Sequence, residues 1–278
     1  MSDLRFACLV PAFNEGPRIT NVLSVLVGHP DLDRVLVVDD GSSDDTGIRA
    51  REAGADVLVL SRNGGKTSAL VAGMMQLDAD FIVLIDADLE GLSREAVAQL
   101  IAPVRRRRGG VSLSLRGNAP LLWRWIGIDY ISGERVLPRA LLVPHLASLS
   151  ELRPFGFEVF LNRVILAGNL PLTVVLWPEV SSPAKARKRG GFWRGLVADM
   201  RMLGDIFQTV SPPEALRQIL QMCALRKYPG REVQAGEGCD TSVHNEFCVQ
   251  GTCGIDAFEN VDHVARTDAQ GIQAGDNF

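Results

Sequence analysis

Phe81-Ile82-Val83-Leu84-Ile85-Asp86-Ala87-Asp88 is an unbroken apolar run that stops on a pair of carboxylates. A run this short and this free of polar residues reads as a strand buried on both faces. The same grammar repeats upstream. The run from Arg5 to Val10 meets Pro11, Arg34 to Val38 meets Asp39-Asp40-Gly41-Ser42, and Val57 to Leu60 reads as a further strand. Helical stretches lie between them. Ile19, Val22, Leu23 and Leu26 follow the helical period behind Pro17, Thr46 to Ala53 ends at Gly54, and Thr67 to Leu77 precedes Phe81. Strands alternating with helices predict a Rossmann-like, mostly parallel sheet with helices on both faces. Ligands of such sheets bind beyond the carboxyl ends of the strands. The polar clusters of the first hundred residues all fall at such ends.

At 278 residues, 46% of them hydrophobic and 22% charged, the chain suits one large α/β domain with appendages. A formal net charge of −4 gives no bulk electrostatic reason to bind nucleic acid. No apolar run reaches the ~18–20 residues of a membrane span. Asp3, Arg5 and Pro11 do not fit a signal peptide, so the expectation is a cytoplasmic location.

Beyond the first hundred residues the pattern loosens. A helix is expected over Arg94 to Val104, followed by a basic run, Arg105 to Arg108, that suits a solvated helix end better than a phosphate site. Strands are expected at Val111 to Leu115 and Leu172 to Trp177, with a helix over Phe157 to Leu166. The main domain is therefore taken as 1–182. In 183–229, Lys185, Arg187, Lys188, Arg189 and Arg194 surround Gly190-Gly191-Phe192-Trp193. Two amphipathic helices are expected after them, one with Leu196, Met200, Leu203, Ile206 and Phe207, the other with Leu216, Ile219, Leu220 and Cys223. Residues 185–207 offer either a peripheral contact with an anionic membrane or a helix packed back on the domain. The stretch 230–278 is polar and without period, an irregular tail. Its Cys239, Cys248 and Cys253 match no zinc spacing, while Cys8 and Cys223 read as small core residues.

Asp86 and Asp88, two residues apart past a strand, can converge on one hard divalent cation that bridges diphosphate oxygens. Alone, such a pair is equally consistent with capping the next helix. Its neighbours make the signal specific. Val10-Pro11-Ala12-Phe13-Asn14-Glu15, then Val37-Val38-Asp39-Asp40-Gly41-Ser42-Ser43-Asp44-Asp45-Thr46, then Asn63-Gly64-Gly65-Lys66, then Ile85-Asp86-Ala87-Asp88 resemble, in order, the signatures of family-2 glycosyltransferases. The resemblance covers about residues 5–100 and, more faintly, 130–165. It implies a glycosyltransferase A fold, a nucleotide-diphosphate sugar donor, Mg²⁺ or Mn²⁺, and transfer with inversion. It also implies that Pro11, Ala12, Asn14 and Glu15 line the nucleoside pocket, with Asp40 and Asp39 at the base or ribose. Lys66 and Ala87 would lie near the donor, Asp86 at the sugar or ribose and the metal, and Asp88 as the principal metal contact.

Plainer readings exist for each. Asn14 can cap the helix behind Pro17, and Asp39-Asp40-Gly41-Ser42 can be turn chemistry. Gly64-Gly65-Lys66-Thr67 echoes a phosphate-binding loop, but Leu60 breaks that spacing.

In the second half, Ser132-Gly133-Glu134-Arg135 resembles the family's loop facing acceptor and donor sugar, and Phe155-Gly156-Phe157-Glu158 its aromatic-rich segment with an acidic residue. Transfer to a hydroxyl needs a carboxylate base, and Glu158, Glu134 and Asp129 are the candidates. Transfer to a lipid phosphate needs none. The acceptor, glycan or lipid phosphate, stays open. The family's Gln/Arg-x-x-Arg-Trp element has no copy beyond the fragment Arg124-Trp125, which argues against a processive polysaccharide synthase. The remaining alternatives are a sugar nucleotidyltransferase, whose Gly-rich basic loop is absent after the first strand, and a catalytically inactive nucleotide-sugar-binding protein.

Overall fold

The computed structural model describes residues 4–107, 109–149, 156–182 and 210–227. In the first part, β1 (Phe6–Ala12), β2 (Arg34–Asp39), β3 (Asp56–Val59) and β4 (Phe81–Leu84) alternate with α1 (Gly16–Leu26), α2 (Thr46–Glu52) and α3 (Lys66–Gln76). Then come α4 (Arg94–Arg107), β5 (Val111–Arg116), α5 (Leu121–Ile126), β6 (Arg135–Pro138) and α6 (Leu146–Leu149). α7 (Gly156–Ala167), β7 (Leu172–Trp177), α8 (Pro212–Leu225) and β8 (Arg226–Lys227) complete the described elements. Their strands form one eight-stranded sheet in the order β3-β2-β1-β4-β6-β5-β7-β8. β6 is antiparallel to both neighbours, β4 and β5, and the other pairings are parallel.

The period-2 alternation of β1 sorts its side chains onto two apolar layers. Ala7 and Leu9 join Leu36 and Val38 of β2 beneath Leu70 and Met74 of α3. Phe6, Cys8 and Val10 face the other way, against Ile19, Val22 and Leu23 of α1 and Val97 and Leu100 of α4. Gly73 lets α3 close on the sheet, since a Cβ there would stand 2.3 Å from a Leu9 methyl. Helices therefore cover both faces, as the alternation of elements predicts.

β1 runs two residues past the expected stop, through Pro11 to Ala12. Pairing with β4 ends at Leu9, so the missing N–H of Pro11 falls on a side where no strand needs it. The basic run at the end of α4 is more engaged than a solvated end requires: Arg105 pairs with Asp31 and lies over the Phe6 ring at 4.9 Å. Neither α5 nor β6 follows from the sequence periodicity. In α8 the expected apolar face is turned. Leu216 and Leu220 are exposed, and Ala215, Gln218 and Met222 are buried, because the Tyr130 hydroxyl donates to Gln218 Oε1 at 2.7 Å and draws that polar residue inward. β8 then pairs with β7, so 212–227 belong to the same layered structure as 172–177. Cys8 is buried and Cys223 half-buried. Phe155, Lys185 to Arg194, Leu196 to Phe207, Cys239, Cys248, Cys253 and the rest of 230–278 lie outside the described residues.

Candidate active site

Three loops meet beyond the carboxyl ends of β1, β2 and β3, held together by side chains rather than by sheet. Asn14 sits at φ 55°, a left-handed conformation that asparagine tolerates. Its N–H donates to Ser42 Oγ at 2.9 Å, and its Oδ1 accepts from the Ser43 N–H at 2.9 Å. Asn14 thus ties the loop after β1 to the loop after β2 and makes no cap bond to α1. Asp39, buried, accepts from the Ser42 N–H at 2.9 Å and closes the turn. Asp40 reaches further: its two oxygens accept from the N–H groups of Gly64 and Gly65 at 2.9 and 2.8 Å. That clamp fixes the loop entering α3 and so places Lys66 in the first helical turn.

Lys66 Nζ then lies 2.7 Å from Asp86 Oδ1 and 3.5 Å from Glu158 Oε1. Burial alone would lower the ammonium's pKa, but the two carboxylates outweigh it and hold Lys66 above its usual range. The same balance works on Asp86. Burial would raise its carboxyl, and the Lys66 ammonium overrides this and keeps it below the ordinary aspartate range. Gly133 makes room for the pair, because a Cβ there would approach Asp86 Oδ2 to 2.7 Å and Lys66 Nζ to 2.8 Å. Glu15 lies across the opening. Burial raises its carboxyl, Arg18 partly offsets this, and the charge of Asp88 adds to the rise.

Asp88 accepts from Ser182 Oγ at 3.0 Å, and Asn118 Nδ2 donates to the Ser182 carbonyl at 3.1 Å. Just beyond, Glu90 and Ser181 exchange backbone hydrogen bonds of 2.8 and 2.9 Å in an antiparallel bridge. The segment after β7 is thereby pinned beside the segment after β4.

A cavity of about 400 Å³ opens among these loops. Of the residues expected at the donor, Pro11, Ala12, Glu15, Asp40, Lys66, Asp86, Ala87 and Asp88 line it, while Asn14 and Asp39 stand behind it as loop ties. An adjoining constriction adds Ser132, Gly133, Arg135, Phe157 and Glu158 to Lys66 and Asp86. Of the three carboxylates considered as bases, only Glu158 lies on these walls. Glu134 is wholly buried, accepting from Ser114 Oγ at 2.7 Å and from Arg116 Nη1 at 3.3 Å. Burial raises its carboxyl; Arg116 counters this only in part. Asp129 is buried 4.0 Å from Arg116 Nη2. Arg116, Asn118 and Ser182 have no part in the sequence reading, and Arg135 enters it only within Ser132-Gly133-Glu134-Arg135. An arginine closing an apolar strand, as Arg116 closes β5, was the one available signal.

The donor set suits a hard divalent cation of a particular kind. No group of three or more His, Cys, Asp or Glu gathers among the described residues, so no all-protein cage exists there. Asp88 presents a carboxylate to the cavity while Asp86 is engaged by Lys66. Such a site fits a cation that takes one or two carboxylates and completes its shell with phosphate oxygens and water.

The sequence profile described as Glycosyl transferase family 2 matches residues 7–128, which supply most of the cavity wall. The chain is similar to that family over this stretch, less than half of its length. The dodecaprenyl-phosphate galacturonate synthase of Rhizobium johnstonii is 29% identical over 128 residues, 42% of this chain and 38% of that protein. The undecaprenyl-phosphate 4-deoxy-4-formamido-L-arabinose transferase of Proteus mirabilis is 30% identical over 108 residues, 35% of this chain and 33% of that protein. The match thus spans only about a third of the length of these relatives. Among solved structures, glucosyl-3-phosphoglycerate synthase from Mycobacterium tuberculosis, in complex with Mn²⁺, UDP and glucosyl-3-phosphoglycerate, superposes with a TM-score of 0.55. The identity is 22%, and the alignment covers 74% of this chain and 80% of that one. The likeness is one of fold, the glycosyltransferase A architecture: a mostly parallel sheet whose carboxyl ends carry the cavity.

Proposed function

We propose that this chain is a metal-dependent, inverting glycosyltransferase that moves a sugar from a nucleotide-diphosphate donor to a lipid-phosphate acceptor. One observation carries the reading: the Lys66–Asp86 ion pair and Asp88 converge on a single cavity at the strand ends of a domain similar to family-2 glycosyltransferases. Asp88, with Asp86 beside it, would hold Mg²⁺ or Mn²⁺, which would neutralise the departing diphosphate. Lys66 would add its charge to the same leaving group, with Asp86 and Glu158 keeping it protonated. Pro11, Ala12 and Glu15 would line the nucleoside end. Asp40, like Asn14 and Asp39, would act through the loops it ties, and Ala87 would pass the donor closely.

The acceptor reading draws on the carboxylates and on the relatives. Glu134 and Asp129 are committed to Arg116, and Glu158 faces Lys66. A phosphate acceptor requires no base. The two relatives described above are named for polyprenyl-phosphate products or substrates. On this reading the enzyme works at the cytoplasmic face of a membrane, and the basic stretch within 185–207 adds a peripheral contact; that stretch lies outside the described residues. A glycan hydroxyl as acceptor would instead cast Glu158 as the base.

Thermal-shift screening against a panel of nucleotide sugars, with and without Mn²⁺, tests the donor half. A metal-dependent rise in Tm with at least one nucleotide sugar is expected, and its absence across the panel would overturn the reading. Asp88→Ala should abolish that rise and turnover while leaving the Tm of the free protein within a few degrees. Retained turnover would remove Asp88 from the metal site.

A further inference from the structure

The helix α5, Leu121-Leu122-Trp123-Arg124-Trp125-Ile126, is built the wrong way round for a domain surface. Only Trp123 is fully buried. Trp125 is 87% exposed, Leu121 60% and Leu122 39%. The one charged side chain of the helix, Arg124, is exposed among them. No acidic residue occurs from Gly117 to Ile128. At the far end of α5, Arg226 Nη1 donates to the Ile126 carbonyl at 2.5 Å. The patch is therefore apolar with a positive fringe, on a chain whose net charge is −4.

Its position relates it to the cavity. β5 runs parallel to β4 through the antiparallel β6, so α5 leaves the sheet at the same edge as Asp86 and Asp88. Arg116, the last residue of β5, feels the charges of both aspartates. The chain thus enters α5 from the cavity end of the sheet, while Arg226, level with Leu172 at the start of β7, meets its far end.

The occupant follows from size and composition. A stable protein interface buries about 800 Å² per partner, far more than three side chains of one short helix supply. Leucine and tryptophan beside arginine are instead the residues of a bilayer interface, where rings sit at headgroup level and cations meet phosphates. We infer that α5 docks this domain on an anionic lipid surface. Leu121, Leu122 and Trp125 enter the boundary between headgroups and acyl chains. Arg124 meets the lipid phosphates. The use of this contact rests on the lipid-phosphate reading above, but the contact itself is measurable without it.

The full chain is sedimented with vesicles of phosphatidylcholine alone and of phosphatidylcholine with phosphatidylglycerol. Binding to the phosphatidylglycerol vesicles is expected, with a blue shift of tryptophan emission. Leu121→Ser combined with Trp125→Ser should weaken it by about tenfold or more, and Arg124→Ser by about threefold, without a change in Tm. Equal binding by the double variant would place docking elsewhere and sink the inference, as would failure of the wild-type chain to bind. A wild-type dimer in light scattering that the double variant converts to a monomer, with no vesicle binding, would assign α5 to a second copy instead. Vesicle binding lost in the double variant, together with no nucleotide-sugar effect on Tm, would leave this inference standing and the donor reading overturned.

Discussion

Ser182 illustrates what a single hydroxyl contributes at this site. Its Oγ holds one oxygen of Asp88 at 3.0 Å, and its own backbone is fixed by Asn118 and by the neighbouring Glu90–Ser181 bridge. A carboxylate oriented in advance loses less freedom when a cation arrives, which is why partners of metal-binding groups tune affinity. Ser182→Ala is therefore expected to weaken Mn²⁺ binding, read by electron paramagnetic resonance titration in the presence of UDP, by about tenfold. Ser182→Thr keeps the hydroxyl and should restore most of the affinity. Unchanged Mn²⁺ affinity in Ser182→Ala would reduce Ser182 to a loop tie. No sequence signal marks this residue, because it lies nearly a hundred positions from Asp88 and becomes its partner only when β7 lies alongside β5. Asp88 itself was legible, as were Lys66 and Asp40, because each ends a strand or opens a helix within a local motif. Their partners were legible only in part: the pairing of Asp40 with the Gly64-Gly65 backbone is a fact of geometry, not of spacing.

At the scale of elements, β1, β2, β4, α1 and α4 follow from periodicity because each buries an apolar face, whereas β3 at the sheet edge and the short α2 bury little and follow from the alternation around them. The failures share a cause. β6 contributes only Arg135-Val136-Leu137-Pro138 to the sheet, too short to alternate, and it begins with a buried arginine. α8 departs from its expected face because polar bonding, not hydrophobicity, decides which way it turns. Tyr130 is the residue responsible, and its phenol offers a test. Burial pushes its pKa up from 10 to about 12. With the folded value raised, the hydroxyl's contribution to stability is complete below the unfolded value of about 10 and is lost as pH climbs from there toward 12. Tyr130→Phe leaves Gln218 Oε1 without this donor and should cost about 1 kcal/mol at pH 8. By pH 10.5 to 11 the gap between wild type and variant should close, measured by urea denaturation at each pH. A gap that stayed constant across that range would mean that the phenol does not carry the docking of α8.

The whole molecule depends on how its two halves are joined. The strands β3, β2, β1 and β4 form a self-consistent parallel unit, and β5, β7 and β8 form another. Within the sheet the antiparallel β6 stitches one to the other, and beyond the strand ends the Glu90–Ser181 bridge and the Ser182–Asp88 bond add a second tie. Arg135, at the head of β6, is wholly buried and donates to the Ser132 carbonyl at 2.8 Å, to Asn162 Oδ1 at 2.7 Å and to the Tyr130 carbonyl at 3.1 Å. It therefore holds α7 and the loop before β6 against the seam, close behind Lys66 and Glu158. Burial lowers the guanidinium's pKa, with the charges of Glu158 and Asp129 opposing that. Arg135→Met keeps an unbranched chain in the same space but strands the Ser132 carbonyl and Asn162 Oδ1, each of which costs about 1–3 kcal/mol when left unpaired, while the Tyr130 carbonyl keeps Asn162 Nδ2 at 2.8 Å. Stability should fall by about 3 kcal/mol or more in urea denaturation, with partial relaxation setting the lower end. If β6 makes one cooperative unit of the two halves, unfolding followed by tryptophan fluorescence and by far-ultraviolet circular dichroism should remain a single coincident transition at a lower midpoint. A loss below about 0.5 kcal/mol would show that the seam does not lean on Arg135. Separation of the two signals would show instead that the seam is the weak line of the fold, and that the donor side can form without the half that carries Glu158 and α5.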